Sequence, residues 1–259
     1  MVATGVSPPA AGAQGTVPHG VEVLVVRTLI LCGGKGTRAY PHTAELPKPL
    51  LEVGGRPLLQ HVMEIYADQG WRDFVLAAGF RHDLIEQFAE LVPDSWWVDV
   101  VDTGEDANTG ERVAKCRHLL GDRFMLSYAD GLGDIDIAAL LAFHTAHSGS
   151  ATVSTVPLVS QYGTIDLSAD GRVERFREKP QLTDHWINAG FFVFDDEAFE
   201  RWDGVDLERE VLPSLGAAGE LYAYRHQGFW KSMDTYKDAL ELTALCDRGA
   251  PPWRISQPR

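Results

Sequence analysis

Apolar residues first crowd into one continuous run, Val21–Cys32 (VEVLVVRTLILC), which stops at a glycine. A β-branched run of this kind marks a strand covered on both faces, as in a parallel sheet. The period then changes. Leu58, Leu59, Val62, Met63, Ile65 and Tyr66 recur at helical spacing and predict a helix over Pro57–Gln69, with Pro57 in its first turn and Gly70 after its end. Phe74–Ala78 reads as a second strand and Asp83–Leu91 as a second helix. Strands at Trp97–Val101 and Phe124–Tyr128 flank a helix near Arg112–Leu119, and Ile135–His147 is helical again. Such alternation predicts a doubly wound, parallel sheet.

Beyond residue 147 the pattern shifts to strands separated only by turns: Ala151–Pro157, Thr164–Leu167, Arg172–Arg177 and Ala189–Phe194, with Ala169-Asp170-Gly171 as one turn. Leu207–Leu215 and Asp234–Cys246 return to helix, with the strand Leu221–Arg225 between them. No linker or internal repeat interrupts the chain. The expectation is an α/β, Rossmann-like single domain over 21–254 with a mixed, mostly parallel sheet flanked by helices. Its parts are a doubly wound stretch of about 21–147, an antiparallel addition of about 148–233 and a C-terminal helix, 234–246.

Composition narrows the function. Among 259 residues, 23 Lys and Arg face 37 Asp and Glu, a net charge of −14. A chain this acidic is a poor general binder of nucleic acid or anionic membrane, so the placement of its few cations matters more than their number. Cys32, Cys116 and Cys246 lie far apart and form no C-x-x-C pair, which indicates neither a disulfide framework nor a zinc site. Residues 1–20 are rich in Ala, Gly and Pro and lack the basic start and apolar core of a secretory signal, so a disordered tail is expected. No apolar run approaches the ~20 residues that span a bilayer, and the expected location is the cytoplasm.

In open α/β sheets ligands lie beyond the carboxyl ends of the strands. The polar stretches expected to converge are the loop 33–48, Gly79, DTGEDANTGER (102–112), ADG (129–131), REKP (177–180) and KSMD (231–234). Gly34-Lys35-Gly36-Thr37-Arg38-Ala39 fits the dinucleotide pattern G-x-G-x-x-A literally. That pattern needs a helix to start within the loop, and Pro41, Pro47 and Pro49 deny it one. The phosphate loop G-x-x-x-x-G-K-[ST] fails too, because Lys35 precedes glycine. What remains is a glycine loop with cations at Lys35, Arg38 and Lys48, suited to a triphosphate or simply solvated. His144 and His147 are spaced for a metal pair but lack a third ligand, and surface or hydrogen-bonded histidines are the expectation.

GGKGTR (33–38) with LPKPLLEVGGRPLLQH (46–61) resembles the opening signature of the sugar-nucleotidyltransferases. VDTG (101–104), TGER (109–112), YADGLGDIDI (128–137), REKP, INAGFFVF (187–194), GFWKSMDT (228–235) and APPW (250–253) follow in matching order. The resemblance covers roughly residues 24 to 254 and is strongest to the cytidylyl branch. It implies a nucleotide-diphospho-sugar transferase fold, with a nucleotide-binding first part and a sugar-binding second part. The implied reaction joins a sugar 1-phosphate to an NTP, here CTP and glucose 1-phosphate, giving CDP-glucose and pyrophosphate with Mg2+ in a homo-oligomer. Another NTP or sugar phosphate, or a non-catalytic nucleotide-sugar binder, is the alternative.

Residue by residue, the resemblance assigns Asp130 and Asp234 to the metal. On their own these positions also suit a turn residue and a helix N-cap. Asp134 and Asp136 are weaker metal candidates, and Asp136 can start the following helix. Arg38 and Lys48 hold the triphosphate, with Lys35 less certain beside them. Leu31, Gly33, Gly34, Gly36, Thr37, Gly79, Thr109 and Gly110 surround the nucleotide, and Arg112 is the side chain expected near the base. Lys179 receives the sugar phosphate and Glu178 the sugar hydroxyls. Tyr128, Asn188, Gly190 and Trp230 complete the sugar pocket, Trp230 being equally suited to the core. Ala129, Glu111, Ala189, Lys231 and Ser232 depart from the branch pattern, all near base or sugar.

Overall fold

Residues 26–36 and 45–255 are described by a computed structural model. The expected tail, residues 1–20, lies outside them. The first apolar run forms strand β1 at Thr28–Leu31, shorter than the run itself, of which residues 21–25 are also outside the described part. Two short strands, β2 (Glu52–Val53) and β3 (Arg56–Pro57), form a tight hairpin before helix α1 (Leu58–Ala67). Then come β4 (Asp73–Ala78), α2 (His82–Ala89), β5 (Trp97–Asp102), α3 (Thr109–Cys116), β6 (Arg123–Tyr128), β7 (Gly131–Gly133) and α4 (Ile137–Thr145). These match the periodicity to within a few residues.

The second half contains β8 (Ala151–Val159), β9 (Thr164–Leu167), β10 (Val173–Arg177) and the long β11 (Gln181–Asp195). A π turn at Leu207–Val211 runs into α5 (Leu212–Ala217). The strands β12 (Leu221–Arg225) and β13 (Trp230–Ser232) and the helix α6 (Tyr236–Cys246) complete the chain. The main sheet has seven strands in the order β12-β8-β11-β6-β1-β4-β5. Strands β6, β1, β4 and β5 run parallel, β11 opposes both β6 and β8, and β12 is parallel to β8. Of these seven strands only β11 runs against the rest, and β9 and β10 pair only with each other, so the expected antiparallel addition to the main sheet reduces to that one strand.

Side-chain alternation along each strand divides the core in two. Ile30, Phe74, Leu76 and Met125 face α1, α2, α4 and α6, while Leu29, Leu31, Val75, Ala77 and Leu126 face α3 and α5. Both sheet faces are covered, which is why these strands read as unbroken apolar runs. On the first face the C-terminal Trp253, fully buried, packs edge-on against the buried His61 ring. Among the described residues no helix is long and apolar enough to cross a membrane.

The four parallel strands all end at the same edge. Their exits are the loop after Leu31, Gly79 after β4, residues 103–108 after β5 and Asp130 after β6. That edge carries the site.

Candidate active site

Strands β7 and β13 pair antiparallel, with Ser232 opposite Gly131 and Trp230 opposite Gly133. This small sheet brings Asp130 and Asp234, far apart in sequence, to one place, and Met233 N donates to the Asp130 carbonyl at 2.9 Å to close it. Both carboxylates reach a single ammonium: Lys48 Nζ is 2.6 Å from Asp130 Oδ2 and 3.2 Å from Asp234 Oδ1. Two negative charges drawn together repel, and the cation between them offsets that repulsion. Lys48 starts a 3-10 turn after Pro47, whose fixed φ is −63°, and it is almost fully buried. Gly36 closes over it at φ +60°, where a Cβ would lie 2.6 Å from Lys48 Cβ. The glycine is needed for contact with the lysine as well as for its left-handed backbone.

The N-cap alternative for Asp234 does not hold. Thr235 caps α6 instead, its hydroxyl accepting from Asp238 N while Asp238 accepts from Thr235 N, a reciprocal capping box. Asp234 is left facing Lys48 and accepting from Ser232 Oγ at 3.2 Å. Asp136 does cap α4, through Ala139 N at 2.8 Å. Asp134 turns away to His226 Nε2, also at 2.8 Å.

These groups line a cavity of about 530 Å³ at the strand edge. Leu31, Gly33, Gly34, Gly36, Lys48, Thr109, Arg112, Tyr128, Asp130, Asn188, Trp230 and Asp234 all reach it. Lys35 is exposed and pairs with Glu105 at 2.7 Å. Gly79 and Gly110 stand behind the wall: a Cβ on Gly79 would meet Arg112, and one on Gly110 would meet the Val205 carbonyl. Gly190 backs the Tyr128 ring. Glu178 and Lys179 are not brought to the cavity; both are exposed where β10 leads into β11, Lys179 in a left-handed conformation at φ 45°. Thr37 and Arg38 lie outside the described residues.

Arg112 reaches the cavity wall, but the donors on its Nη1 and Nη2 are taken up by the chain. They go to the carbonyls of Ala78, Gly104, Gly33 and Glu105 and to Thr103 Oγ1, at 2.5 to 3.2 Å. One guanidinium therefore ties the exits of β1, β4 and β5 together. Burial pulls its pKa below the usual arginine value. The same side chain explains Gly33 and Gly79, where an added Cβ would lie 2.1 and 2.3 Å from its Nη1. Of the departures from the branch pattern, Glu111 pairs along α3 with Lys115 and Lys231 pairs with Glu241. Ala189 supplies the carbonyl that accepts from Trp230 Nε1 at 2.8 Å, so Trp230 serves wall and core at once.

The family model described as nucleotidyl transferase matches residues 27–245. The chain belongs to the nucleotidyl transferase family. It is 35% identical over 255 residues to the Bacillus subtilis (strain 168) protein named "Probable glucose-1-phosphate cytidylyltransferase", covering 89% of this chain and all of that one. It is 34% identical to a Salmonella typhi protein named glucose-1-phosphate cytidylyltransferase, covering 88% of this chain and 99% of the relative. A crystal structure of HddC from Yersinia pseudotuberculosis has the same fold, with a TM-score of 0.68 at 22% identity over 85% of this chain and 98% of that one.

For a nucleotidyl transferase the cavity's donor set is apt. Asp130 and Asp234 are hard oxygen donors converging on one cation, and among the described residues no set of three or more His, Cys, Asp or Glu could hold a metal. Two carboxylates suit magnesium, which takes one or two from protein and completes its shell with phosphate oxygens and water. His144 and His147 are no metal pair: both bind Thr152 Oγ1, at 2.9 and 2.7 Å. Glu208, which sequence reasoning missed, also lines the cavity. It lies in an acidic stretch, DLERE, that carries no local sign of a site.

Proposed function

We propose that this transferase joins CTP and glucose 1-phosphate, releasing pyrophosphate and giving CDP-glucose, with magnesium held by Asp130 and Asp234. The observation that carries the reading is the convergence of both carboxylates and the Lys48 ammonium at the floor of a cavity with a glycine lip. The names of the two relatives support the choice of base and sugar.

In this reading a phosphate oxygen of the sugar 1-phosphate attacks the α-phosphorus in line as pyrophosphate leaves. The attacking group is already an anion, so no protein nucleophile or strong base is required, and catalysis rests on orientation and charge. Bound magnesium would neutralise charge on the phosphate oxygens. Lys48, rigidly placed by Pro47 and Pro49, supplies a second positive charge to the triphosphate. Arg112 keeps the three nucleotide-side loops in register, and Tyr128, Asn188 and Trp230 wall the sugar side. Following pyrophosphate release over a panel of NTPs and hexose 1-phosphates tests reaction class, base and sugar together. Turnover with a different NTP would keep the reaction and overturn CTP.

A further inference from the structure

Glu208 sits on the seam between the two halves of the cavity. Its Oε2 accepts from Thr109 Oγ1 at 2.7 Å, at the start of α3 on the nucleotide side. Its Oε1 accepts from the Tyr128 hydroxyl at 2.5 Å, at the end of β6, and that hydroxyl accepts in turn from Asn188 Nδ2 at 3.1 Å on the sugar side. The backbone beneath it is fixed as well. Glu208 N and Arg209 N donate to Asp206 Oδ1, Leu207 N donates to Thr109 Oγ1, and the Leu207 side chain is fully buried. The Tyr128 phenol, its pKa pushed up by burial and by the Glu208 charge, remains a donor.

A carboxylate accepts about four hydrogen bonds, and among the described residues two side chains donate to this one. The remaining lone pairs are offered to a cavity whose two substrates are both phosphates. Asp130 and Asp234 share the Lys48 ammonium, whereas the Glu208 carboxylate is held by the hydroxyls of Thr109 and Tyr128. Like charge therefore disfavours a phosphate directly against Glu208 and favours an uncharged part of a substrate that carries hydroxyl donors. Resting on the nucleotidyl-transfer reading above, we propose that Glu208 is a specificity-determining residue that accepts a hydrogen bond from a ring hydroxyl of bound substrate. That hydroxyl belongs to the ribose of the nucleotide or to the hexose. Because Tyr128 and Thr109 hold the carboxylate before substrate arrives, little side-chain freedom is lost on binding. A substrate lacking the hydroxyl leaves an acceptor unpaired, which a polar site penalises.

The test compares kcat/KM for the accepted NTP with its 2′-deoxy and 3′-deoxy forms, and for the accepted hexose 1-phosphate with its 2-deoxy, 3-deoxy and 4-deoxy forms. The wild-type protein is expected to lose about 10-fold or more on one deoxy substrate, chiefly through KM. Loss on a deoxynucleotide assigns the hydroxyl to ribose; loss on a deoxyhexose assigns it to the hexose. In Glu208→Ala the hydroxylated substrate falls by about the same factor while its deoxy form does not, so discrimination disappears. Glu208→Asp, which keeps the carboxylate but draws it back, is expected to discriminate less than wild type and serves if the alanine variant does not fold. Equal wild-type rates on all deoxy forms overturn the inference. So does an equal fall on hydroxylated and deoxy substrates in Glu208→Ala, which would make Glu208 a support for Tyr128 and Thr109 only. Either outcome leaves pyrophosphate release intact, whereas absence of release with every substrate pair overturns the reaction itself.

Discussion

The Lys48 ammonium lies 2.6 Å from the Asp130 carboxylate, inside the cavity and almost out of solvent. With Asp234 on its other side, this pair gathers the charges that a phosphoryl-transfer site requires from three separate parts of the chain. Removal of either carboxylate should therefore affect chemistry far more than substrate binding. Asp130→Asn and Asp234→Asn are each expected to lower kcat by about 100-fold or more, a typical loss for an electrostatic group acting on the transition state. Binding of the sugar phosphate, followed by calorimetry, should change much less. Unchanged turnover in Asp234→Asn would remove that residue from the catalytic set.

Arg112 predicts a linked loss of stability and nucleotide affinity. Arg112→Met keeps much of the side chain's length and removes all donors. The Gly33 carbonyl keeps Phe80 N and the Ala78 carbonyl keeps Thr103 N and Oγ1, so the bonds lost without replacement are those to the Gly104 and Glu105 carbonyls and to Thr103 Oγ1. Hydrogen bonds to a charged donor contribute ~1.5–3 kcal/mol each and solvent recovers part of that, so denaturant unfolding should show a loss of about 2–4 kcal/mol. The KM for the NTP should rise while the KM for the sugar phosphate moves less. A stable variant with unaltered nucleotide KM would contradict the clamp.

His61 predicts a stability that falls in mild acid. Its Nε2 contacts the Val53 carbonyl at 2.8 Å, and its Nδ1 receives Trp253 Nε1 at 3.4 Å, so the ring is neutral with its proton on Nε2. Burial, the largest cause, lowers its pKa below the ordinary histidine value. The folded state thus binds this proton less readily than the unfolded chain does. The stability contribution is present above the unfolded pKa of about 6.5 and is lost as pH falls below it. Melting temperatures at pH 7.5 and 5.5 should differ more for the wild-type protein than for His61→Gln, which cannot titrate. Equal differences would contradict this.

Much of the fold was legible because strands covered on both faces leave continuous apolar runs and helices leave a spaced stripe. The parallel strands and α1 follow directly from those two periods. The hairpin β2–β3 and the long-range pair β7–β13 were not legible: each strand is two or three residues long, too short for any alternation, and β7 is Gly-Leu-Gly. Yet β7 and β13 are what join Asp130 to Asp234. Arg112 came from the family resemblance, as the side chain expected near the base, but sequence cannot reveal that five backbone and hydroxyl oxygens converge on it. Glu208 was invisible for the same reason, since its two partners come from distant elements. The capping box of Thr235 and Asp238 was readable in principle, and recognising it would have freed Asp234 from the N-cap role.

Pyrophosphate release from CTP with glucose 1-phosphate and magnesium is the deciding measurement for the proposed reaction. Release is expected to require all three components and to yield CDP-glucose in equal amount. Absence of pyrophosphate with every NTP across a panel of hexose 1-phosphates would contradict that reaction.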